Sequence, residues 1–135
     1  MEKELLNSDK KLLLKDLCGR LPYVTMCATT VNDGSLTNIW EIVKADMINE
    51  DFFLIHDSHE AYRTVDVKEI KQYLFPLSSM TEKQEDELIK FTAKDWNDMR
   101  YHTPDSIDWL NAHHFDYRGL IVKGLAIDAT GLNIY

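Results

Sequence analysis

The sequence contains none of the short motifs that mark the common nucleotide-binding, hydrolase and zinc-binding proteins. GxxxxGKS/T, GxGxxG, GxSxG, HExxH and CxxC are all absent. Each of these spacings serves one chemistry, such as cradling phosphates, exposing a nucleophile or presenting two imidazoles on one helix face. Their absence lowers the expectation of an enzyme, and the sequence implies no cofactor.

Long apolar runs and an excess of basic residues are missing as well. No run approaches the roughly 20 apolar residues that a membrane-spanning helix needs, which predicts a protein without a membrane partner. The 23 acidic and 15 basic residues give a formal net charge of -8, which repels a phosphate backbone. We therefore expect no nucleic-acid partner, and since no secretory signal is evident we expect a cytoplasmic location.

Cysteine is scarce, with only Cys18 and Cys27 in the chain. They flank a predicted helix-to-strand connection, and spacing alone does not separate one bridge from two thiols. A cytoplasmic location favours reduced thiols. Both cysteines lie in apolar sequence without a neighbouring histidine, so we do not expect a catalytic thiol.

The composition is that of one folded domain. At 135 residues and 44% hydrophobic content, the chain is long and apolar enough to bury a core. We predict a single domain over residues 1–135, with the polar residues 1–9 frayed.

The first two thirds of the chain predict one helix followed by strands. Leucines at helical spacing predict a helix over Lys10–Leu17, which Gly19 would end, and Pro22 forces an extended chain from Tyr23. Extended segments follow at Tyr23–Val31, Leu36–Lys44, Phe52–His56, Tyr62–Val65 and Gln72–Leu77, with one helical turn at Asp66–Lys71 and with Pro76 confined to an edge or a strand end. The pattern predicts an α+β fold with a small bent antiparallel sheet, or an SH3-like or Sm-like barrel, of about five strands.

Two helices are predicted in the C-terminal third. Thr81 and Gln84 have the spacing of a capping box, which predicts a helix that continues to about Trp96. Thr103 and Pro104 predict a second helix start, because threonine caps a free amide and proline has none at the first helical position. Gly119 can adopt the left-handed conformation that ends helices, so we expect the second helix to end there.

The densest polar chemistry lies at the end of that second helix, in His113, His114, Asp116, Tyr117 and Arg118. In one interpretation these residues form a site that holds an anion through Arg118, or a metal through imidazole and carboxylate. In the other they brace the helix end: His114 packs in the core against Ile107 and Leu110, Asp116 pairs with Arg118 or binds nearby amides, and Tyr117 anchors the turn by its hydroxyl. Adjacent histidines point roughly 100° apart on a helix, so the metal signal is weak.

A second polar run, His56-Asp57-Ser58-His59-Glu60, has an HxxH spacing with a carboxylate between. It is compatible with a divalent metal, but the sequence favours a solvated turn over a metal site.

Three blocks of sequence carry a resemblance to known proteins. KKLLLKDLCGRLPY, YLFPLSSMT and DWLNAHHFDYRGLIVKGLAIDA resemble a group of short uncharacterised proteins of gut bacterial genomes, prophages and phages. The matching positions are Leu21, Pro22, Pro76, Ser78, Ser79, Asp116, Tyr117, Arg118 and Gly119, and the chain departs from the group at Val24, where glycine is usual. The resemblance implies a mobile-element setting and no particular activity.

Three functional hypotheses follow. The first is a noncatalytic binding protein that contacts a host protein, or a homo-oligomer completed by the apolar tail, with exposed aromatic surface around Trp109, Tyr117 and Tyr135. The second is a hydrolase or nuclease-like enzyme in which His113 or His114 is the general base, Asp116 orients it and Arg118 neutralises an anion. The third is a pocket for a small anionic nucleotide, formed by Arg118 and Tyr117.

Geometry separates these hypotheses. An Arg118 guanidinium paired to a carboxylate, with His114 buried against the helix, would favour the binding protein. Convergence of His113, Asp116 and Arg118 in an open pocket would favour chemistry.

Overall fold

The computed structural model describes residues 7–29, 39–46, 51–56, 61–94 and 100–135. In chain order the elements are α1 (Asn7–Arg20), β1 (Met26–Thr29), β2 (Trp40–Asp46), β3 (Asp51–His56), β4 (Ala61–Asp66), a 3-10 turn (Val67–Glu69), β5 (Ile70–Pro76), a second 3-10 turn (Leu77–Ser79), α2 (Glu82–Ile89), β6 (Ala93–Lys94), β7 (Arg100–Tyr101), α3 (Pro104–Ala112), β8 (Phe115–Asp116) and β9 (Ala126–Asp128). The predicted α+β class is confirmed, with one N-terminal helix and two C-terminal ones.

The main sheet is open: strands β4, β3, β2, β1 and β5 lie side by side in that order, and β8 and β9 also pair with β5. The strands from β1 to β4 form an antiparallel meander, and β5 returns to pair antiparallel with β1. Strands β8 and β9 both lie parallel to β5. The predicted antiparallel arrangement is therefore confirmed for β1 to β5, but within the described residues the sheet is mixed and has seven strands, not about five. The alternative of a closed SH3-like or Sm-like barrel is not formed.

The predicted strands lie close to the observed ones. The pairing of Cys27 with Trp40 confirms that the first two strands are antiparallel neighbours, although the residues that connect them, 30–38, lie outside the described ranges. The helical turn after β4 is present, capped by the Asp66 carboxylate, which accepts the Lys68 amide at 3.0 Å. Pro76 ends β5, as expected of a residue without an amide hydrogen to donate.

The first helix is longer than predicted at both ends. It begins at Asn7, so residues 7–9, which we expected to be frayed, are helical. It also continues through Gly19 to Arg20, so the prediction that Gly19 ends it is wrong. A Cβ at Gly19 would lie 3.1 Å from Asn111 Nδ2. The glycine therefore allows α1 and α3 to approach closely.

Both C-terminal helices start as predicted and end earlier. Thr81 and Gln84 form the predicted capping box, but α2 ends at Ile89 because the chain turns into the β6–β7 hairpin, and Trp96 lies outside the described residues. Thr103 caps α3, which ends at Ala112. The prediction that Gly119 ends this helix is wrong, because His114 already takes the left-handed conformation, with φ of 64°.

Besides a cluster around Ala28, Tyr73 and Ala129, the apolar core has two main parts. The larger lies between α1 and the sheet and includes Leu17, Trp40, Phe52 and Leu74. The smaller lies under α2 and α3 around Trp109, Leu110 and Phe115. Among the residues that the structure describes, no helix combines the length and apolarity needed to cross a membrane.

Candidate functional site

A buried carboxylate, Asp16 of α1, is the centre of the polar interior. Its side chain is 0% exposed, and Arg20, one helical turn later, is 1% exposed. Arg20 Nε donates to Asp16 Oδ2 at 2.8 Å and Arg20 Nη2 donates to Oδ1 at 3.2 Å. The pair is thus bidentate and almost wholly removed from water. Each of the two buried charges is therefore stabilised by the other and not by solvent.

Two further groups from distant parts of the chain bind the same carboxylate. Arg118 Nε donates to Asp16 Oδ1 at 3.1 Å, and Gln72 Nε2 of β5 donates to Oδ2 at 2.8 Å. The Arg118 side chain is 21% exposed and is the outermost member. One carboxylate therefore joins α1, β5 and the segment after β8.

Tyr117 lies against both guanidinium groups of this centre. The Cζ atoms of Arg20 and Arg118 lie 5.2 Å and 4.9 Å from the centroid of its ring. Its hydroxyl donates to Asn111 Oδ1 at 2.9 Å and accepts from Arg118 Nη2 at 3.3 Å. We call Asp16, Arg20, Gln72, Asn111, Tyr117 and Arg118 the Asp16 cluster. The predicted anchoring of the turn by the Tyr117 hydroxyl is present.

The inner side of the Asp16 cluster is less completely bonded. Arg20 Nη2 donates to the Phe115 carbonyl at 2.7 Å, which ties α1 to β8. Arg20 Nη1 and Gln72 Oε1 are buried and have no hydrogen-bond partner. Leaving a buried polar atom unpaired costs about 1–3 kcal/mol, so the cluster holds its geometry at some expense in stability.

Asp116 acts separately from the Asp16 cluster. Its two carboxylate oxygens accept the backbone amides of Leu120 and Ile121, each at 2.9 Å. Of the two structural roles predicted for Asp116, binding nearby amides is therefore present, whereas Arg118 pairs with Asp16. The carboxylate fixes the turn that leads from β8 toward β9.

His113 is held against α3, as its i, i+4 spacing from Trp109 indicated. The two rings stack with centroids 4.0 Å apart, and His113 Nδ1 lies 2.8 Å from the Trp109 carbonyl oxygen. Because a carbonyl oxygen can only accept a hydrogen bond, Nδ1 is assigned the proton and donates it. The ring therefore caps the end of the helix.

His114 has a different environment from the one predicted. We expected it to pack against Ile107 and Leu110, but it lies beyond the helix end, and its ring stacks on Tyr135 at 3.5 Å with an interplanar angle of 11°. Burial lowers the pKa of His114 to about 4, and the charges of Arg20 and His113 act in the same direction. The imidazole is therefore neutral at physiological pH.

The five predicted site residues thus divide into groups. Tyr117 and Arg118 contact each other, whereas His113, His114 and Asp116 each make separate contacts. Of the three aromatic residues expected at the surface, Tyr135 is 41% exposed, Tyr117 is half-buried and Trp109 is only 9% exposed. The prediction for Trp109 is wrong, because its indole packs against Phe115 in the smaller core.

Sequence reasoning missed Asp16, Arg20, Gln72 and Asn111. A usable signal existed in α1, because Asp16 and Arg20 complete an i, i+3, i+4, i+7 pattern with Leu13 and Leu17, and that pattern marks the buried face. Two opposite charges on an apolar face predict an internal ion pair. Gln72 and Asn111 carry no comparable signal.

The remaining chemistry-bearing residues are dispersed. Neither cysteine forms a disulfide; Cys18 is exposed, contrary to the apolar setting expected for it, and Cys27 is buried, which raises the pKa of its thiol. No group of three or more histidine, cysteine or acidic side chains capable of holding a metal occurs within the described ranges. The HxxH run lies largely outside them, at residues 57–60.

No model of a known protein family, no curated protein and no solved structure matches this chain. The resemblance to short phage and prophage proteins therefore stays a prediction.

Proposed function

We propose that this protein is a noncatalytic binding protein, which acts by contacting a host protein or a second copy of itself. The cytoplasm and a mobile-element setting are part of the same proposal. The observation that carries it is the pairing of Arg118 with Asp16 at 3.1 Å, because this guanidinium was the group expected to meet an anion. A guanidinium engaged with an internal carboxylate and a tyrosine braces the fold.

The positions of the two histidines support the same conclusion. A general base works best with a pKa near the operating pH, whereas His114 has a pKa of about 4. His113 directs Nδ1 at its own helix and stacks on Trp109. Asp116, the residue expected to orient a base, gives both oxygens to backbone amides. These contacts argue against the hydrolase hypothesis.

A candidate contact surface lies at the end of α2. Ile89 is 44% exposed and Phe91, two residues later, is 41% exposed. The Thr103 hydroxyl donates to the Phe91 carbonyl, so this turn is fixed to the start of α3. Two large apolar side chains on an anchored turn are suited to a protein partner, since apolar and aromatic residues supply most of the energy at interface centres.

The experiment that tests the proposal is affinity capture from host lysate, together with size-exclusion chromatography and light scattering. The double substitution Ile89→Ser/Phe91→Ser removes the apolar side chains without touching the core. We expect it to abolish a specific captured partner, or a dimer, that the unaltered chain forms. A loss of at least tenfold in captured protein is expected, because each such side chain contributes about 1–2 kcal/mol at an interface.

Val122→Ser is the matched control. Val122 is 93% exposed on the turn after β8, so the same kind of change is made away from the proposed surface. Equal loss of capture by both variants, or capture unaffected by the double substitution, would count against the surface. Turnover of a phosphoester or ester substrate that disappears in Arg118→Met would count against a noncatalytic protein.

A further inference from the structure

The edge of β5 that faces β1 is shared by two strands placed end to end. Strand β1 pairs with Ile70–Gln72, and β8 pairs with Phe75 and Pro76. Ala129 donates to the Leu74 carbonyl, whereas the Phe75 amide donates to the His114 carbonyl. The C=O and N–H groups of one peptide unit point to opposite edges of a strand. Strand β9 therefore occupies one edge of β5, and β1 and β8 share the other.

A tyrosine hydroxyl fills the position between these two strands. The antiparallel register of Cys27 with Gln72, continued by one residue, places Met26 opposite Tyr73. The Met26 amide does not donate to the Tyr73 carbonyl there. It donates to the Tyr135 hydroxyl at 2.9 Å, and that hydroxyl donates to the Tyr73 carbonyl at 3.0 Å. The phenol thus replaces one hydrogen bond of the ladder.

The ring of Tyr135 is recognised as well as its hydroxyl. It stacks on His114 at 3.5 Å and lies 6.0 Å from the Phe75 ring at an angle of 57°. We call the Met26 amide, the Tyr73 carbonyl and the rings of His114 and Phe75 the tyrosine slot. A flat ring carrying one group that both accepts and donates satisfies all four parts, whereas phenylalanine would leave the amide and the carbonyl unpaired.

The link that brings Tyr135 to the slot is exposed over residues 130–133, whereas Ile134 packs against the apolar cluster of Ala28, Tyr73 and Ala129. Thr130, Gly131, Leu132 and Asn133 all lie at the surface, and Gly131 and Asn133 have positive φ values of 79° and 54°. Tyr135 itself is 41% exposed, so the slot opens to solvent. A segment with few buried contacts detaches at lower cost than the core unfolds.

We propose that the tyrosine slot is a recognition site for a phenol ring, filled in cis by Tyr135 and open in trans to a tyrosine side chain of a partner protein. The trans occupant rests on the proposed function as a protein-binding protein. The cis occupant is then a built-in competitor, which a partner tyrosine must displace.

The test uses the full chain carrying Tyr135→Ala, with N-acetyl-tyrosinamide as the probe and N-acetyl-phenylalaninamide as the matched probe without a hydroxyl. Titration is followed by the backbone amide NMR signals of Met26 and Phe75 and by the melting temperature. We expect saturable binding of the tyrosine probe and a rise in melting temperature. The phenylalanine probe should bind at least tenfold more weakly, because a site built for a hydroxyl rejects a ligand without one.

The unaltered chain is the control, since Tyr135 keeps its slot filled, whereas Tyr135→Phe keeps the ring and loses the two hydroxyl contacts. The tyrosine probe should bind the unaltered chain at least tenfold more weakly than it binds Tyr135→Ala, and it should bind Tyr135→Phe with an intermediate affinity. If Tyr135→Ala does not fold alone, the tyrosine probe should restore its folding and the phenylalanine probe should not. Equal binding of the two probes, equal binding to all variants, or no binding and no rescue would overturn the proposal.

These results are independent of the capture experiment. Probe binding reports on the slot alone, whereas loss of capture by Ile89→Ser/Phe91→Ser reports on the proposed function. If the slot binds the tyrosine probe but the protein captures no partner, the proposed function is refuted and the proposed phenol site still stands.

Discussion

The Asp16 cluster and the tyrosine slot both attach the C-terminal part of the chain to its N-terminal part, but by opposite means. In the cluster, Arg118 reaches back 102 positions to a carboxylate on α1 that is 0% exposed. In the slot, the Tyr135 hydroxyl reaches back 109 positions to a backbone amide of β1. The first contact uses buried charge, and the second uses neutral groups near the surface.

The difference determines how each region responds to a missing group. A buried ion that loses its partner keeps the full cost of having left water, which makes truncation of one partner expensive. A neutral hydrogen bond near the surface is replaced by one to water, so its loss costs about 1 kcal/mol. The cluster should therefore behave as an all-or-none brace, and the slot as a contact that can open while the fold persists.

The largest expected effect is that of Asp16→Asn. The amide keeps the size of the side chain but removes the only negative charge that Arg20 and Arg118 are seen to contact in the described residues. We expect a loss of about 3–5 kcal/mol in the free energy of unfolding, measured by urea denaturation.

Asp86→Asn on the exposed side of α2 is the control, with an expected change within about 0.5 kcal/mol. A loss for Asp16→Asn as small as that of the control would mean that the cluster is not a brace, and the contrast with the slot would no longer hold.

The two arginines of the Asp16 cluster should differ in how much they stabilise the fold. Arg20 is 1% exposed and bonds both Asp16 and the Phe115 carbonyl, whereas Arg118 is 21% exposed. Arg20→Met should cost about 3 kcal/mol and Arg118→Met about 1 kcal/mol, because solvent already screens the outer charge. Methionine keeps the apolar stem in both cases.

Urea denaturation of the two variants side by side gives the ranking. If Arg118→Met proved the more costly of the two, burial would not be what sets the strength of these contacts.

The sequence predicted local features of the fold well, because local chemistry decides them. Thr81 and Thr103 begin helices through bonds to amides three residues away, and Pro76 ends a strand because it has no donor. The alternation of strands and turns also indicated an antiparallel meander. Each of these features depends on residues within one or two turns of chain.

The site was predicted less well, because long-range partners decide it. The proximity of Arg118 and Asp116 in sequence suggested an ion pair, yet Arg118 pairs with Asp16, 102 positions away. The end of α3 was assigned to Gly119 on residue preference, whereas the parallel pairing of Phe115 with Phe75 takes the chain out of the helix at His114. Parallel pairing of short strands leaves little trace in local sequence.

The last of the expected effects, smaller than those of Asp16→Asn and Arg20→Met, concerns pH and the wall of the slot. His114 has an ordinary pKa of 6.5 when unfolded and a pKa of about 4 when folded, lowered by burial and then by the charge of Arg20. Between these values the unfolded chain binds the extra proton, so the free energy of unfolding falls as pH drops. Solvent screens the partly exposed ring, so we expect His114 to account for a reduced loss of about 2 kcal/mol between pH 6.5 and pH 4. His114→Asn removes the titrating group and keeps a residue that tolerates the left-handed backbone. Urea denaturation across this range should show a shallower slope for the variant, whereas parallel slopes would mean that protonation leaves the stacked rings in place.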